Sequence, residues 1–391
     1  MSHVLVIGAG PVGATFALLA KAHGLDVSLI DARDGPSTEK RTLALSHGSR
    51  VLLERAGAWG QGLPATEIHR IHTSQKGGFG RVMLDRSELG VAALGYVVRY
   101  AELQAKLDDR LMAEGISVVY GASVTAVQSR EGIVKYANND GEFSTATAVV
   151  VMADGGANLD KLEGVTAVVK DYGQSAMLAH VVTDRPHLNV AYERFTPEGP
   201  AALLPTIGGS CDFSTVWVAA HEKIDRLMSL SDEDAKEAFQ THFGKRAGQF
   251  TKLVNRRRYP LKLKQASLRV VDKVAIIGNA AQAMHPVAGQ GFNLGLRDAS
   301  ALATALAATH APTGVGKFRP SSDVDDVLGK YAAMRETDIK RGVGFTDLLA
   351  SAFLSDAATL RWPRGFALAT VDMLPFARRA LAERMLFGAQ L

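Results

Sequence analysis

The sequence predicts an α/β fold in which a parallel sheet is interrupted by antiparallel segments. Residues 3–30 contain a buried strand, a glycine turn, a helix and a second strand, which is the order of a right-handed β–α–β unit. Residues 166–264 instead alternate apolar and polar side chains between proline and glycine turns, a pattern typical of antiparallel strands. The buried-strand pattern returns at 274–277. We therefore expect an α/β domain interleaved with an antiparallel-sheet domain, rather than two domains in tandem.

Each predicted element depends on its own hydrophobic period. A helix over 102–115, for example, places Leu103, Leu107 and Leu111 on one face and ends at Gly115. In chain order, the predicted elements are a strand at 3–7, a helix at 11–23, a strand at 26–30, a helix at 102–115, strands at 116–120, 124–128, 148–152, 178–183 and 214–219, one helix near 231–243, a strand at 274–277 and a helix at 291–308.

Composition excludes several classes of protein. The 391 residues suggest two or three domains, and 47% hydrophobic with 21% charged residues is a globular balance. The 44 basic and 40 acidic residues give a net charge of +4 without dense basic clusters, so no nucleic-acid partner is expected. The single cysteine, Cys211, excludes an intrachain disulfide and a multi-cysteine zinc site, and no histidines have a ligand-like arrangement, so no metal is expected. No 18-residue apolar run is present, and we expect a cytoplasmic protein.

A glycine-rich turn joins the first strand to the first helix. Gly8, Gly10 and Gly13 have the spacing that a dinucleotide pyrophosphate requires, because the turn is tight and the backbone must approach the phosphates closely. The helix N-terminus adds unpaired N–H groups. Asp31 follows the second strand, where a carboxylate binds a ribose hydroxyl and disfavours a 2′-phosphate. FAD or NAD is therefore preferred over NADP at this turn; the alternative is a glycine turn without a ligand.

Two further segments follow buried strands. Asp154 and Gly155 come directly after the strand at 148–152, at the sheet edge where ligands bind, although an ordinary Asp-Gly turn is an equal alternative.

Asn279 follows the strand at 274–277, and a proline and glycine loop at 286–291 leads into a helix. The first N–H groups of that helix suit the negative charge of a reduced flavin ring. A loop shaped only by packing is the alternative.

Together these motifs resemble the FAD-dependent aromatic-ring hydroxylases, and within them the ubiquinone-biosynthesis hydroxylases, whose R-x-x-A-L-S segment matches residues 41–46. The resemblance covers nearly the whole chain. It implies a Rossmann-like FAD-binding domain at 1–70, 95–165 and 265–315, interleaved with a substrate domain at 71–94 and 166–264 as in p-hydroxybenzoate hydroxylase. A helical C-terminal tail at 325–391 completes the implied fold.

The resemblance also implies roles for individual residues. Catalytic roles fall on His285, Pro286 and Gln290, although a structural role for His285 in its turn is an equal alternative. The implied cofactor-binding residues are Gly8, Gly10, Gly13, Asp31, Arg41, Arg99, Val124, Asp154, Gly155, Asn279, Pro286, Gly289, Gln290, Gly291 and Asn293. The family usually continues its Asp-Gly turn to a serine and an arginine, where this chain has Asn158 to Lys161.

The implied chemistry is the hydroxylation of an aromatic ring. NAD(P)H reduces FAD, O2 forms a flavin C4a-hydroperoxide, and one oxygen is transferred to an electron-rich phenol. The favoured substrate is a polyprenyl phenol, that is, a hydrophobic quinone precursor. A small soluble phenol, or a non-catalytic role as a flavin-fold assembly protein, are the alternatives.

Two basic segments bear on the partners and location of the protein. A homo-oligomer and contacts with ubiquinone-pathway proteins are further expectations. The arginine cluster at 256–258 is either a solvated face or a contact for NAD(P)H or a partner. The basic, apolar segment 361–387 either packs on the core or rests on the inner membrane face, where a polyprenylated substrate would be found.

Overall fold

The computed structural model describes residues 3–60, 62–283, 290–308, 324–336, 366 and 369–387. The strands of these ranges, in chain order, are β1 (His3–Ile7), β2 (Asp26–Ile30), β3 (Thr42–Ser46), β4 (Ala65–Ile68), β5 (Arg70–Gln75), β6 (Arg81–Asp85), β7 (Gly95–Arg99), β8 (Ser117–Val119), β9 (Ser123–Gln128), β10 (Ile133–Asn138), β11 (Gly141–Ala146), β12 (Val149–Met152), β13 (Ala167–Thr183), β14 (Val190–Phe195), β15 (Ala201–Pro205), β16 (Asp212–Ala220), β17 (Phe250–Ala266), β18 (Val270–Val271), β19 (Val274–Ile276) and β20 (Gln282–Ala283).

The helices are amphipathic or buried elements that cover these sheets. They are α1 (Pro11–Ala22), α2 (His47–Arg55), α3 (Tyr100–Ala113), α4 (His221–Ser229), α5 (Asp232–Phe243), α6 (Gln290–Ala307), α7 (324–336) and α8 (Pro375–Phe387).

The first layer is a six-stranded sheet in the order β18-β19-β12-β1-β2-β8, parallel except for β18. Strand β1 is buried on both faces, which explains its uninterrupted apolar sequence. Val4 and Val6 pack with the helical side, against α1, α3 and α6. Leu5 and Ile7 pack with the small antiparallel sheet β9–β11 on the other side. The strand and helices that the sequence predicts for this layer are therefore present.

The second layer is an eight-stranded sheet in the order β20-β17-β13-β16-β15-β14-β5-β6. It takes strands from both 70–85 and 167–266, and only β14 and β5 pair in parallel. The long strands β13 and β17 form its spine. One face carries α4 and α5, whose Ile224 and Phe239 pack against Trp217 and other buried residues of the sheet. The predicted combination of a parallel layer and an antiparallel layer is confirmed.

One helix of this layer differs from the prediction. The sequence predicted a single helix near 231–243, but α4 precedes α5 and covers the adjacent end of the sheet. Helix α4 has nine residues and only Ile224 and Leu227 buried, so its apolar period is too short to detect.

A three-stranded sheet in the order β3-β7-β4 lies beside the main layers, and the sequence did not predict it. In the tail, α7 places Leu328 and Tyr331 in the hydrophobic core on the helical side of the six-stranded sheet, and α8 places Ala382 and Leu386 against β6. The helical C-terminal end is confirmed for these ranges. None of the helices among the described residues is long and apolar enough to cross a membrane.

Candidate functional site

A cavity of about 410 Å³ opens at the carboxyl ends of β1, β2 and β12. Its walls combine the three sequence motifs, because parallel strands present their carboxyl ends at one edge of a sheet. Gly8 and Gly10 of the first turn, Asp31, Asp154 and Asn279 all line it. These five of the residues that the sequence predicts for FAD are therefore brought together from segments more than 100 residues apart.

The three glycines of the first turn have different structural reasons. Gly8 has φ +100°, and a Cβ there would lie 2.8 Å from the Ala153 carbonyl carbon. A Cβ on Gly13 would lie 2.0 Å from the Gly8 oxygen, so Gly13 allows α1 to pack on the turn. A Cβ on Gly10 would meet nothing nearer than the Tyr100 hydroxyl at 3.9 Å. Gly10 thus keeps space open inside the cavity, and this backbone cradle fits a pyrophosphate.

Asp31 lines the cavity at the carboxyl end of β2. Its Oδ2 accepts a hydrogen bond from the Ala9 N–H at 2.5 Å, and its Oδ1 accepts one from the Arg33 N–H at 2.7 Å. Each oxygen retains a further lone pair. The carboxylate is therefore fixed in orientation by the chain and can still accept from the hydroxyls of a ribose.

Arg41 supplies positive charge to the same cavity. Its guanidinium carbon lies 4.6 Å from the centre of the Tyr100 ring, a cation–π geometry. The Arg41 Nε is buried and has no hydrogen-bond partner among the described residues. A buried donor without a partner is costly, and an anionic cofactor at this position would satisfy it. The donor set of the cavity thus fits the diphosphate of FAD.

The Asp154 turn has a structural function within the site. Its carboxylate accepts from the Gly156 N–H at 2.9 Å, and from the N–H and Nδ2 of Asn158 at 2.9 and 2.7 Å. The Lys161 Nζ donates to the carbonyl of Val124, which lines the cavity. Asn158 and Lys161, where this chain departs from the family pattern, therefore hold the turn and the adjacent strand in place.

The third motif divides between two locations. Asn279 is exposed on a short 3-10 helix and lines the first cavity. Asn293 instead ties α6 to β3 and α2: its Oδ1 accepts from the Ser46 N–H at 2.9 Å and the Ser49 hydroxyl at 2.7 Å, and its Nδ2 donates to the Ala44 carbonyl at 3.1 Å. Asn293 lines a second, apolar cavity rather than the first.

The loop before α6 is only partly described. His285, Pro286 and Gly289 lie outside the described residues, and so does the side chain of Gln290, the first residue of α6. Gly291 is described, and a Cβ there would meet nothing within 4 Å. The roles of these residues stay predictions.

The second cavity, of about 160 Å³, lies between the eight-stranded sheet, the β3-β7-β4 sheet and α8. Its walls are mainly small or branched apolar side chains such as Ala44, Leu204 and Val216. The polar residues among its described lining are Ser46, Tyr192, Glu193 and Asn293. Glu193 was not among the residues predicted for the site. The signal in the sequence was a carboxylate within the short segment VAYERF, which forms β14.

A third cavity, of about 440 Å³, shares Arg41 with the first. Arg99 lines this cavity rather than the first, and donates to the Ile207 carbonyl at 3.1 Å and to Glu102 at 2.9 Å. The arginine cluster is also divided: Arg257 lines the third cavity, whereas Arg256 binds the carbonyls that end α4. The result is a cationic cavity beside the first one.

Comparisons with known proteins agree with this geometry. The FAD binding domain family model matches residues 1–317. The ubiquinone hydroxylase UbiL of Rhodospirillum rubrum is 29% identical over 96% of this chain and 87% of that protein. The 3-demethoxyubiquinol 3-hydroxylase of Escherichia coli K12 is 27% identical over 95% of both chains. The crystal structure of p-nitrophenol 4-monooxygenase PnpA from Pseudomonas putida DLL-E4 superposes over both whole chains with a TM-score of 0.77 at 17% identity, which shows the shared fold.

These findings confirm the predicted resemblance to the ubiquinone-biosynthesis hydroxylases, the predicted fold and the predicted cofactor. NAD(P)H and O2 are the co-substrates usual in this class of enzyme. The chain belongs to the FAD-binding-domain family, and it is an FAD-dependent aromatic-ring monooxygenase.

Proposed function

We propose that the protein hydroxylates the aromatic ring of a polyprenyl phenol in ubiquinone biosynthesis. The observation that carries this proposal is the position of the apolar cavity, which is separated from the FAD cavity by the first turn of α6: Phe292 lines one and Asn293 the other. An apolar cavity suits a phenol ring with a hydrocarbon tail. The names of the UbiL and Escherichia coli relatives support the same pathway.

The residues around the first cavity would hold FAD in defined ways. Gly8, Gly10 and the N-terminus of α1 would bind the pyrophosphate together with Arg41, and Asp31 would bind the adenosine ribose. When bound, FAD would supply the redox chemistry between NAD(P)H, O2 and the substrate. The chain's own contribution is to bind, to orient and to exclude water.

Orientation and water exclusion depend on the apolar cavity. Its walls come from Leu204, Val216 and other apolar residues of the sheet, and from α8 through Ala382 and Leu386. Such walls leave a phenol few orientations and offer water few hydrogen-bond partners. Asn293 ties the start of α6 to β3, which supports the wall between the two cavities.

We propose the third cavity as the docking site of NAD(P)H. Four cationic residues line it, Lys40, Arg41, Arg99 and Arg257, and they outnumber Asp212, its one carboxylate among the described residues. This excess of positive charge beside the FAD cavity would attract an anionic dinucleotide. Arg257→Ala should raise the KM for NAD(P)H several-fold, with Arg226→Ala on the exposed face of α4 as the matched control. An unchanged KM would remove the cavity from consideration.

The distinguishing experiment for the substrate uses purified, FAD-loaded protein with NAD(P)H. We expect 2-geranylphenol to gain one oxygen by mass spectrometry and to stimulate NAD(P)H oxidation more strongly than unsubstituted phenol. Equal turnover of the tail-less phenol would favour the alternative, a hydroxylase of a small soluble phenol.

We also propose a peripheral contact with an anionic membrane surface. Phe366, Met373 and Phe376 are 61%, 79% and 71% exposed near α8, and Arg379 lies on the same helix. Because α8 also lines the apolar cavity, a membrane contact through α8 would bring a prenyl tail in the bilayer close to that cavity. Removing α8 should abolish binding to anionic liposomes; unchanged binding would refute the contact.

The division into interleaved domains is part of the proposal. Strands from 70–85 and 167–266 share the eight-stranded sheet, which supports a substrate domain drawn from two segments. A homo-oligomer and contacts with ubiquinone-pathway proteins stay predictions, and light scattering and pull-down with pathway enzymes would test them.

A further inference from the structure

Glu193 is the one carboxylate among the described residues that line the apolar cavity. Strand β14 alternates, so Ala191 and Glu193 point to the same side of the sheet. Across the ladder, Glu193 pairs with Ala202, which pairs with Val216, and both of these residues also line the cavity. The carboxylate therefore projects from an otherwise apolar face.

No hydrogen bond or ion pair to another described residue engages this carboxylate. Protein atoms surround Glu193, yet its side chain keeps some accessible surface, because it faces the cavity rather than packed atoms. Burial alone raises the pKa of Glu193 to about 7. An unpaired carboxylate in an apolar cavity costs free energy, so its presence calls for a ligand that can use it.

The charged groups on the surrounding elements are directed elsewhere. The Tyr192 ring packs against Phe213 and Phe243, with centroids 6.2 and 6.5 Å apart. Arg70 and His72 alternate with Ile71, which lines the cavity, and Arg194 alternates with Glu193, so these three lie on the opposite face of the sheet. Three further ion pairs lie on the neighbouring elements: Glu67 with His69 at 2.7 Å, Arg378 with Glu88 at 3.2 Å and Arg379 with Glu383 at 2.9 Å. Arg81 and Asp85 of β6 alternate with Leu84, which lines the cavity, so they lie on the opposite face.

We propose that Glu193 is the catalytic base that accepts the proton of the substrate's phenolic hydroxyl, an inference that rests on the proposed function. The phenol O–H bond breaks, an O–H bond to the Glu193 carboxylate forms, and the electron pair stays on the phenol oxygen. No electron leaves or enters in this step. The phenolate ring is richer in electrons than the phenol ring, so it attacks an electrophilic oxygen more readily. A base close to neutrality suits this transfer.

The test compares the FAD-loaded wild type with Glu193→Gln, which keeps the shape of the side chain but accepts no proton. Glu142→Gln on the exposed strand β11 is the matched control. With 2-geranylphenol, Glu193→Gln should lower kcat by about 100-fold or more, within the usual range for general-base catalysis. Its FAD content and melting temperature should stay at or above the wild-type values, and Glu142→Gln should retain full turnover.

A series of ring-fluorinated 2-geranylphenols separates a base from a structural group. As fluorine makes the phenol more acidic, the ratio of wild-type to Glu193→Gln turnover should shrink, because an acidic phenol needs less help to ionise. The wild-type kcat/KM should also increase with pH around pH 7, and Glu193→Gln should lack this rising limb of the pH profile. Glu193→Asp, which retains a carboxylate, should recover part of the turnover and of the pH limb, and it serves as the test variant if Glu193→Gln fails to fold.

Two results would overturn the inference alone. Both require that the wild type hydroxylates 2-geranylphenol. One result is that Glu193→Gln turns over as fast as the wild type. The other is that the ratio of wild-type to Glu193→Gln turnover stays constant across the fluorinated series. A wild type that oxidises NAD(P)H but never adds oxygen to any prenylated phenol would overturn the proposed function, and this inference with it.

Discussion

Phe292 and Asn293 are consecutive residues at the start of α6, and they line two different cavities. Phe292 borders the cavity of about 410 Å³ that fits FAD, and Asn293 borders the apolar cavity of about 160 Å³. Neighbouring residues of a helix point about 100° apart, so the first turn of α6 forms the wall between the two cavities. A substrate ring in the apolar cavity, as proposed above, would lie within one helix turn of the cofactor.

Gly10→Ala should separate cofactor binding from folding. Gly10 has φ −62° and ψ 174°, which alanine adopts freely, and its Cβ would meet no chain atom closer than 3.9 Å. We expect a folded protein that retains little FAD, measured by flavin absorbance and thermal melting. Gly13→Ala should instead destabilise the fold, because its Cβ would overlap the Gly8 carbonyl. Full FAD content in Gly10→Ala would contradict the assignment of the pyrophosphate site.

Asp31→Asn should weaken FAD binding by roughly ten- to a hundredfold, the effect of losing a charged hydrogen-bond acceptor. The substitution also removes the negative charge that accepts the hydrogen bond of the Ala9 N–H, and this bond orients the glycine turn. Fluorescence titration of the apoprotein with FAD measures the change. Asp34→Asn, on the exposed loop that follows, is the control and should bind FAD normally. Equal affinity in both variants would rule out a ribose contact.

Asp298→Asn should reduce the free energy of unfolding by about 3 kcal/mol. Asp298 is fully buried; its carboxylate accepts from the Gly278 N–H at 3.1 Å and pairs with Arg335 at 2.7 Å. The substitution removes the negative charge of this buried carboxylate, which Arg269 also approaches at 3.7 Å. Asp326→Asn removes an exposed pair with Lys330 and should cost less than about 0.5 kcal/mol in the same urea titration. Similar decreases in the free energy of unfolding of the two variants would contradict the prediction that the buried ion pair contributes more than the exposed one.

Glu193→Gln should stabilise the protein at alkaline pH. The pKa of Glu193 is raised from 4.5 to about 7, so between these values the folded state holds a proton that the unfolded state has released. Its contribution to stability is fully present below pH 4.5 and is lost as the pH rises to about 7, by about 3 kcal/mol at most. The melting temperature of Glu193→Gln should exceed the wild-type value at pH 8 and match it near pH 4. A difference that does not change with pH would indicate that Glu193 titrates normally.

Much of the FAD cavity could be predicted from the sequence. Gly8, Asp31, Asp154 and Asn279 each follow a buried strand, and the ends of parallel strands meet whatever the rest of the chain does. The departure at Asn158 and Lys161 could be noticed but not explained, because their partners Asp154 and Val124 are identified only by the folded turn.

The substrate side of the site could not be predicted in the same way. Glu193 looks like any polar residue of a half-exposed strand until β5 and β15 bring apolar neighbours to its face. Asn293 was expected on the flavin side, and its contacts with Ala44 and Ser46, almost 250 residues away, place it on the wall of the apolar cavity. Arg99 likewise lines the cationic cavity.

The sequence by itself therefore determined the α/β class with its parallel and antiparallel layers, and it predicted Gly8, Gly10, Asp31, Asp154 and Asn279, which line the first cavity. These features depend on local periodicity and on turns, which neighbouring residues specify. Only the tertiary structure decided which side chains face the apolar cavity and that Glu193 is the one carboxylate among its described lining residues. The reason is that strand pairing over long sequence separations fixes which face of a strand is enclosed, and no local pattern contains that information.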